Sequence, residues 1–146
     1  NGVSITCSNP TVWCCAVFWS QSRTIFGDDF QSGKVSSFGP TPSGKTELCE
    51  VSFFGQTYSI MHTDVAHQPL NDAFSMIIYC ENQAEIDRYW NYFCKEGKAS
   101  FCGWCIDKYG LRWQVLPHNF GELMRKPNAG RVMMAQTKIV IKEYLE

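Results

Sequence analysis

The chain has 146 residues, enough for one domain with a real apolar core. Apolar residues make up 45% and charged residues 18%, which excludes a disordered, solvated segment. Thirteen Lys and Arg oppose fourteen Asp and Glu, and a net charge of -1 carries no general attraction to nucleic acid or to an acidic membrane surface.

In chain order, Val3 to Cys7 reads as a strand. Thr11 to Phe26 is expected to hold a helix, although it is rich in Cys, Trp and β-branched residues and has no clean cap. Lys34 to Phe38 is a second strand, and Glu47 to Phe54 and Gln56 to His62 form a hairpin about Gly55. Asp64 to Asp72 contains Pro69, has no periodicity and reads as a linker. Phe74 to Cys80 is a short apolar run that suits a buried strand. Asn82 to Lys95 is the clearest helix: Asn82 is a good N-cap, Glu85 completes a capping box, and Ile86, Tyr89, Trp90 and Phe93 make one apolar stripe. Gly97 ends it, as a C-terminal cap glycine would. Ser100 to Ile106 and Leu111 to Leu116 flank the turn Asp107-Lys-Tyr-Gly110, where Gly110 can take positive φ. Short helices follow near Asn119 to Met124 and Gly130 to Gln136, and Thr137 to Ile141 is expected to be the last strand. A strand–helix–three-strand outline thus occurs twice, which suggests an internal duplication with Asp64 to Asp72 as the crossing.

Eight cysteines sit at 7, 14, 15, 49, 80, 94, 102 and 105. Several lie inside apolar runs, where a free thiol behaves as a small hydrophobe, so reduced cysteines in a cytoplasmic protein are expected rather than a secreted disulfide scaffold. No apolar stretch approaches the roughly 20 residues of a membrane span, and the start carries no basic-then-apolar signal pattern. Cys102-Gly-Trp-Cys105 has redox-motif spacing. If both cysteines lie on a strand, their side chains point to opposite faces and their Cα atoms stand about 10 Å apart, beyond the roughly 7 Å a disulfide spans. Gly39 to Thr46 formally matches a phosphate loop. Such a loop should open a long helix, whereas the following residues read as a strand and two prolines remove backbone donors, so a hairpin loop is expected. His62, His67 and His118 are the only histidines, and spacing alone assigns none of them to catalysis or to a metal.

The stretch Asn82-Gln-Ala-Glu-Ile-Asp-Arg-Tyr-Trp, followed by Cys102-Gly-Trp, Asp107-Lys-Tyr-Gly110 and Trp113-Gln-Val-Leu-Pro117, resembles the PhnB-like family. This family is also called 3-demethylubiquinone methyltransferase-like, and belongs to the vicinal oxygen chelate (glyoxalase/bleomycin-resistance) superfamily. The tail from Gly130 to Glu146 is similar as well, and the likeness runs from about Val35 to the end. It implies an α+β fold, with two βαβββ modules over about 1–64 and 73–143 of a single 1–146 domain, a cupped mixed β-sheet and a homodimer. The first-module helix of the family carries an acidic, alanine-rich face, and Cys14 to Phe26 departs from it. No Gly-rich loop follows a strand to bind S-adenosylmethionine, so methyl transfer is not expected from the name.

In metal-using members of the superfamily a Glu on the last strand of a module binds the ion; that position falls on Gln114, and the partner ligand falls near Ala73, which cannot bind. A neutral amide is a weak ligand for a hard divalent ion, so no resident cofactor is expected, with a recruited divalent metal as the alternative. The leading expectation is a cup that binds a small, partly apolar molecule, lined by Gln114, Trp113, Trp104, Phe74, Met76 and His62. A metal-dependent lyase, isomerase or dioxygenase and a non-catalytic, resistance-type sequestering protein are the competing readings, and none of the three calls for nucleic acid or a membrane.

Overall fold

Strand β1 (Val3–Cys7) coincides with the first apolar run of the sequence. The computed structural model describes residues 3–7, 25–26, 30–42, 44–63 and 69–146, in two units, Asn1–Pro69 and Leu70–Glu146. Of the expected helix Thr11 to Phe26, only Ile25 and Phe26 are described; both are helical and buried, and the remainder lies outside the described residues.

In the first unit β1 is followed by β2 (Phe30–Thr41), β3 (Gly44–Phe53) and β4 (Gln56–Thr63), in the order β1-β4-β3-β2. β1 runs parallel to β4, and the other pairs are antiparallel. β2 is longer than the expected Lys34 to Phe38, and the phosphate-loop look-alike is its hairpin to β3, with Thr41 opposite Gly44. Pro40 lies on this edge strand within a register shift between Phe38 and Thr41, where a missing N–H costs no ladder bond. The β3–β4 turn is tight: Phe54 and Gly55 both have positive φ, 47° and 73°, the pair of values that matches the twist of a two-residue hairpin. A phenylalanine is strained there, and aromatic packing offsets the strain, since its ring lies 4.6 Å from that of Phe53 and 6.2 Å from that of Phe26.

The second unit repeats the plan. β5 (Met76–Cys80) leads into helix α1 (Gln83–Lys95), then β6 (Lys98–Ala99), β7 (Trp104–Ile106) and β8 (Arg112–Pro117), ordered β5-β8-β7-β6. β5 is parallel to β8, so the first strand of each sheet pairs with the last. Asn82 caps α1 by accepting from the Glu85 N–H at 3.0 Å. The Glu85 carboxylate reaches back to the Glu81 N–H, one residue before the position a standard capping box uses. The stripe Ile86, Tyr89, Trp90 and Phe93 is buried as its spacing predicts, and Phe93 stacks on Trp113 with ring centroids 4.5 Å apart. Cys80, Cys105 and Val115 are wholly enclosed beneath it.

Gly97 follows the helix for a different reason from the one its position suggests. It does not adopt a left-handed φ. A Cβ added there would stand 2.1 Å from the Ile106 carbonyl oxygen and 2.4 Å from that of Phe93. The glycine lets the end of α1 meet the backbone of β7.

The expected strand at Thr137 to Ile141 does not form, because the segment's backbone is bonded to a turn and a helix side chain and not to a strand. After helices α2 (Phe120–Leu123) and α3 (Ala129–Ala135), the chain runs without ladder pairing into a 3-10 turn at Ile141–Tyr144. Backbone bonds from Cys102 to Gln136 and from Gly103 to Thr137 hold it, and so does Gln83 of α1, which donates to the Ile139 carbonyl and accepts from the Ile141 N–H. Leu116, Leu123, Ala129, Ile139 and Tyr144 form the core beneath this segment. Gln83→Ala is expected to cost about 1–2 kcal/mol in urea denaturation, and limited proteolysis should cut first after α3. Among the described residues no helix is long and apolar enough to cross a membrane.

Candidate functional site

Side-chain alternation divides the second sheet into two faces with separate roles. Trp113 and Cys105 are buried toward α1, which turns Arg112, Gln114, Trp104 and Ile106 the other way. On β5, buried Ile78 and Cys80 belong to the α1 side, and Ile77 and Tyr79 to the opposite side. The register sets Ile77 and Trp104 on either side of Gln114. One end of this face is closed where Leu116 joins the C-terminal core, and the other carries Gln114, Trp104, Ile77 and Arg112.

The hairpin presenting these groups is locked by Asp107. Its Oδ1 accepts from the Tyr109 and Leu111 N–H groups at 2.8 and 3.0 Å, and its Oδ2 accepts from the Trp113 indole at 2.8 Å. Gly110 takes the positive φ the turn demands, 87°. Burial pushes the Asp107 carboxyl above its usual range, and these hydrogen bonds pull against the shift.

Gln114 is half-buried, and its Nε2 donates to the Ser75 hydroxyl at 2.8 Å. The residue facing the expected metal position is therefore Ser75, whereas Ala73 sits in the preceding turn with its N–H on the Asn71 side chain. An amide and a hydroxyl are poor donors for a hard divalent ion and do not fit one held tightly by this pair. Among the described residues no group of three His, Cys, Asp or Glu side chains could hold a metal. Arg112 is pinned: Nε donates to Asp72, and Nη1 donates to the Leu70 and Gly110 carbonyls, at 2.7–2.8 Å. A concavity of about 300 Å³ opens beside it, with Trp104 and Ile106 on the face and Asp72, Phe101 and Cys102 around the rim.

The structure brings together only part of the expected lining. Gln114 and Trp104 share a face. Trp113 and Met76 do not: they pair in register on the α1 side, and Trp113 is core, 3% exposed. The error is one of parity, since neighbours on a strand cannot line one surface. Phe74 is exposed in the segment before β5. The backbone of His62 belongs to β4, and its side chain lies outside the described residues. Ser75 and Arg112 were missed, although both stand two residues from a face residue, at Ile77 and Gln114.

The C-x-x-C pair is also resolved on different grounds from strand spacing. Cys102 is not on a strand but in a turn, with φ 57°, and its Sγ lies 3.8 Å from the Met134 sulfur. Cys102 and Cys105 are both free thiols.

The sequence profile of the 3-demethylubiquinone-9 3-methyltransferase family matches residues 28–116, more than half of the chain. No curated protein matches. Among solved structures, the PhnB protein of Bacillus cereus superposes with a TM-score of 0.63 at 20% identity, covering 80% of this chain and 98% of that one. The fosfomycin resistance protein FosX of Listeria monocytogenes gives 0.55 at 12% identity over 86% and 96%. Glyoxalase I of Leishmania major gives 0.53 at 12% over 83% and 87%. At these identities the structures establish the α+β glyoxalase-like fold with its paired mixed sheets. With the profile match, the chain belongs to the 3-demethylubiquinone-9 3-methyltransferase (PhnB-like) family.

Proposed function

We propose that the face of the second sheet turned away from α1 binds a small molecule with one apolar or aromatic part and one amide-like or carbonyl group, without a metal ligated by Gln114. The observation that carries this reading is the Gln114–Ser75 hydrogen bond beside Trp104. With its N–H engaged, the Gln114 amide keeps acceptor capacity for a ligand, and Ser75 keeps a hydroxyl proton to donate. Trp104 and Ile77 supply the apolar surface. Cys49, Cys80, Cys94, Cys102 and Cys105 are free thiols, which supports a reducing compartment such as the cytoplasm. A homodimer belongs to the same reading, and light scattering on the eluted protein should return the mass of two chains.

Benzamide is a suitable first probe, since it joins a ring to an amide. In saturation-transfer NMR it should bind the wild type and lose about tenfold in affinity with Gln114→Ala, the scale of one or two hydrogen bonds. Trp104→Ala should weaken it further. Equal binding by all three proteins would remove this site. Protein loaded with Mn(II) and dialysed should retain no stoichiometric metal; one ion per chain, lost in Gln114→Ala, would replace this reading by the metal-dependent one.

A further inference from the structure

Two thiols outside this face meet between α1 and the sheet. Cys94 lies one residue before the end of α1, and Cys105 is the central residue of β7. The end of α1 packs on the backbone of β7, and the two thiols act on each other there. Cys105 is fully enclosed and Cys94 is half-buried, so Cys94 is the thiol of the pair more open to the outside. The backbone around them is already close: Gly97 leaves no room for a side chain between the end of α1 and the Ile106 carbonyl. Cys102, the sequence neighbour with redox-motif spacing, is turned toward Met134 instead.

We propose that Cys94 and Cys105 form a disulfide when the protein meets a peroxide, so that the covalent site of this chain is a helix-to-strand cross-link and not the C-x-x-C pair. In the first step the Cys94 sulfur attacks one peroxide oxygen and the O–O bond breaks. This leaves a sulfenic acid on Cys94 and releases one water, with the thiol proton leaving on that water. In the second step the Cys105 sulfur attacks the Cys94 sulfur. The S–S bond forms, the S–O bond breaks, and hydroxide takes the Cys105 proton to leave as a second water. Two thiols lose two electrons and hydrogen peroxide gains them. Burial pushes both thiols up, which keeps them protonated at neutral pH and makes the reaction slow and faster with rising pH.

The test oxidises the whole chain with hydrogen peroxide at pH 8, alkylates remaining thiols and maps proteolytic peptides by mass spectrometry. Met134 is 68% exposed, and its conversion to the sulfoxide reports that oxidant was delivered. The expected product joins the Cys94 and Cys105 peptides with loss of two hydrogens, reverses with dithiothreitol and raises Tm. In Cys94→Ser the link should vanish and Cys105 should be recovered as a thiol. Recovery of both cysteines alkylated in wild-type protein whose Met134 is oxidised would overturn the proposal. So would linkage of Cys105 to Cys102 or to any other cysteine. The wild-type map decides the matter even if a variant folds poorly.

Discussion

A Gly97→Ala variant is expected to lose at least about 3 kcal/mol in urea denaturation, the upper end of what overpacking costs. The added methyl would meet two carbonyl oxygens, at 2.1 and 2.4 Å, and the carbonyl carbon of Asp107 at 3.0 Å. All three are backbone atoms, in β7, in the turn after it and in the last turn of α1, so no flexible side chain can swing aside. Relief would require α1 to lift from β7, which opens the contact that encloses Cys105. Gly130→Ala is the matched control. That glycine lies in α3 with nothing within 4 Å of an added Cβ, and the change should stabilise by about 0.5–1 kcal/mol. A Gly97→Ala loss below about 1 kcal/mol would show that the helix end yields easily, contrary to this account.

Asp107 carries the second large effect. Asp107→Ala removes the acceptor of three N–H groups at once, and an expected cost of about 2–4 kcal/mol follows from one buried indole donor and two turn amides left without partners. Asp107→Asn separates the contributions. Its Oδ1 still serves Tyr109 and Leu111, but an NH2 group then faces the Trp113 N–H, donor against donor. A cost near that of the alanine variant is expected. In a Trp113→Phe background the same asparagine should cost at least about 1 kcal/mol less, because the opposing donor is gone. Equal costs in both backgrounds would mean that the indole bond contributes nothing. The loss should also reach the candidate site, since the Asp107 turn sets the register that places Trp104 beside Gln114.

What could be read from the sequence follows physical range. Helix α1 was legible because its cap and stripe act within a few residues, and the Asp107–Gly110 turn because Gly110 must take positive φ. Gly97 was read as a cap, since position after a helix suggests that. Its actual role, close approach to Ile106, depends on a strand that comes later in the chain. The last strand was misplaced for a similar reason. Thr137 to Ile141 has strand-like composition, but its backbone partners are the turn at Cys102–Gly103 and the Gln83 side chain, which are distant in sequence and belong to no strand. Of the site, Gln114 and Trp104 came from the resemblance, while parity separated Trp113 and Met76 from them. The Cys94–Cys105 contact joins a helix to a strand, and no local spacing rule reports such a meeting.

The strand order also has a consequence in time. In each unit the first strand, β1 or β5, finds its ladder partner only in the last, β4 or β8. A growing or refolding chain can zip the β3–β4 and β7–β8 hairpins locally, but β1 and β5 must wait as unpaired apolar segments until everything between has formed. The parallel closure of each sheet is thus the slow, entropy-limited event, and Met76–Cys80 and Val3–Cys7 are the stretches most exposed to wrong partners while it is pending.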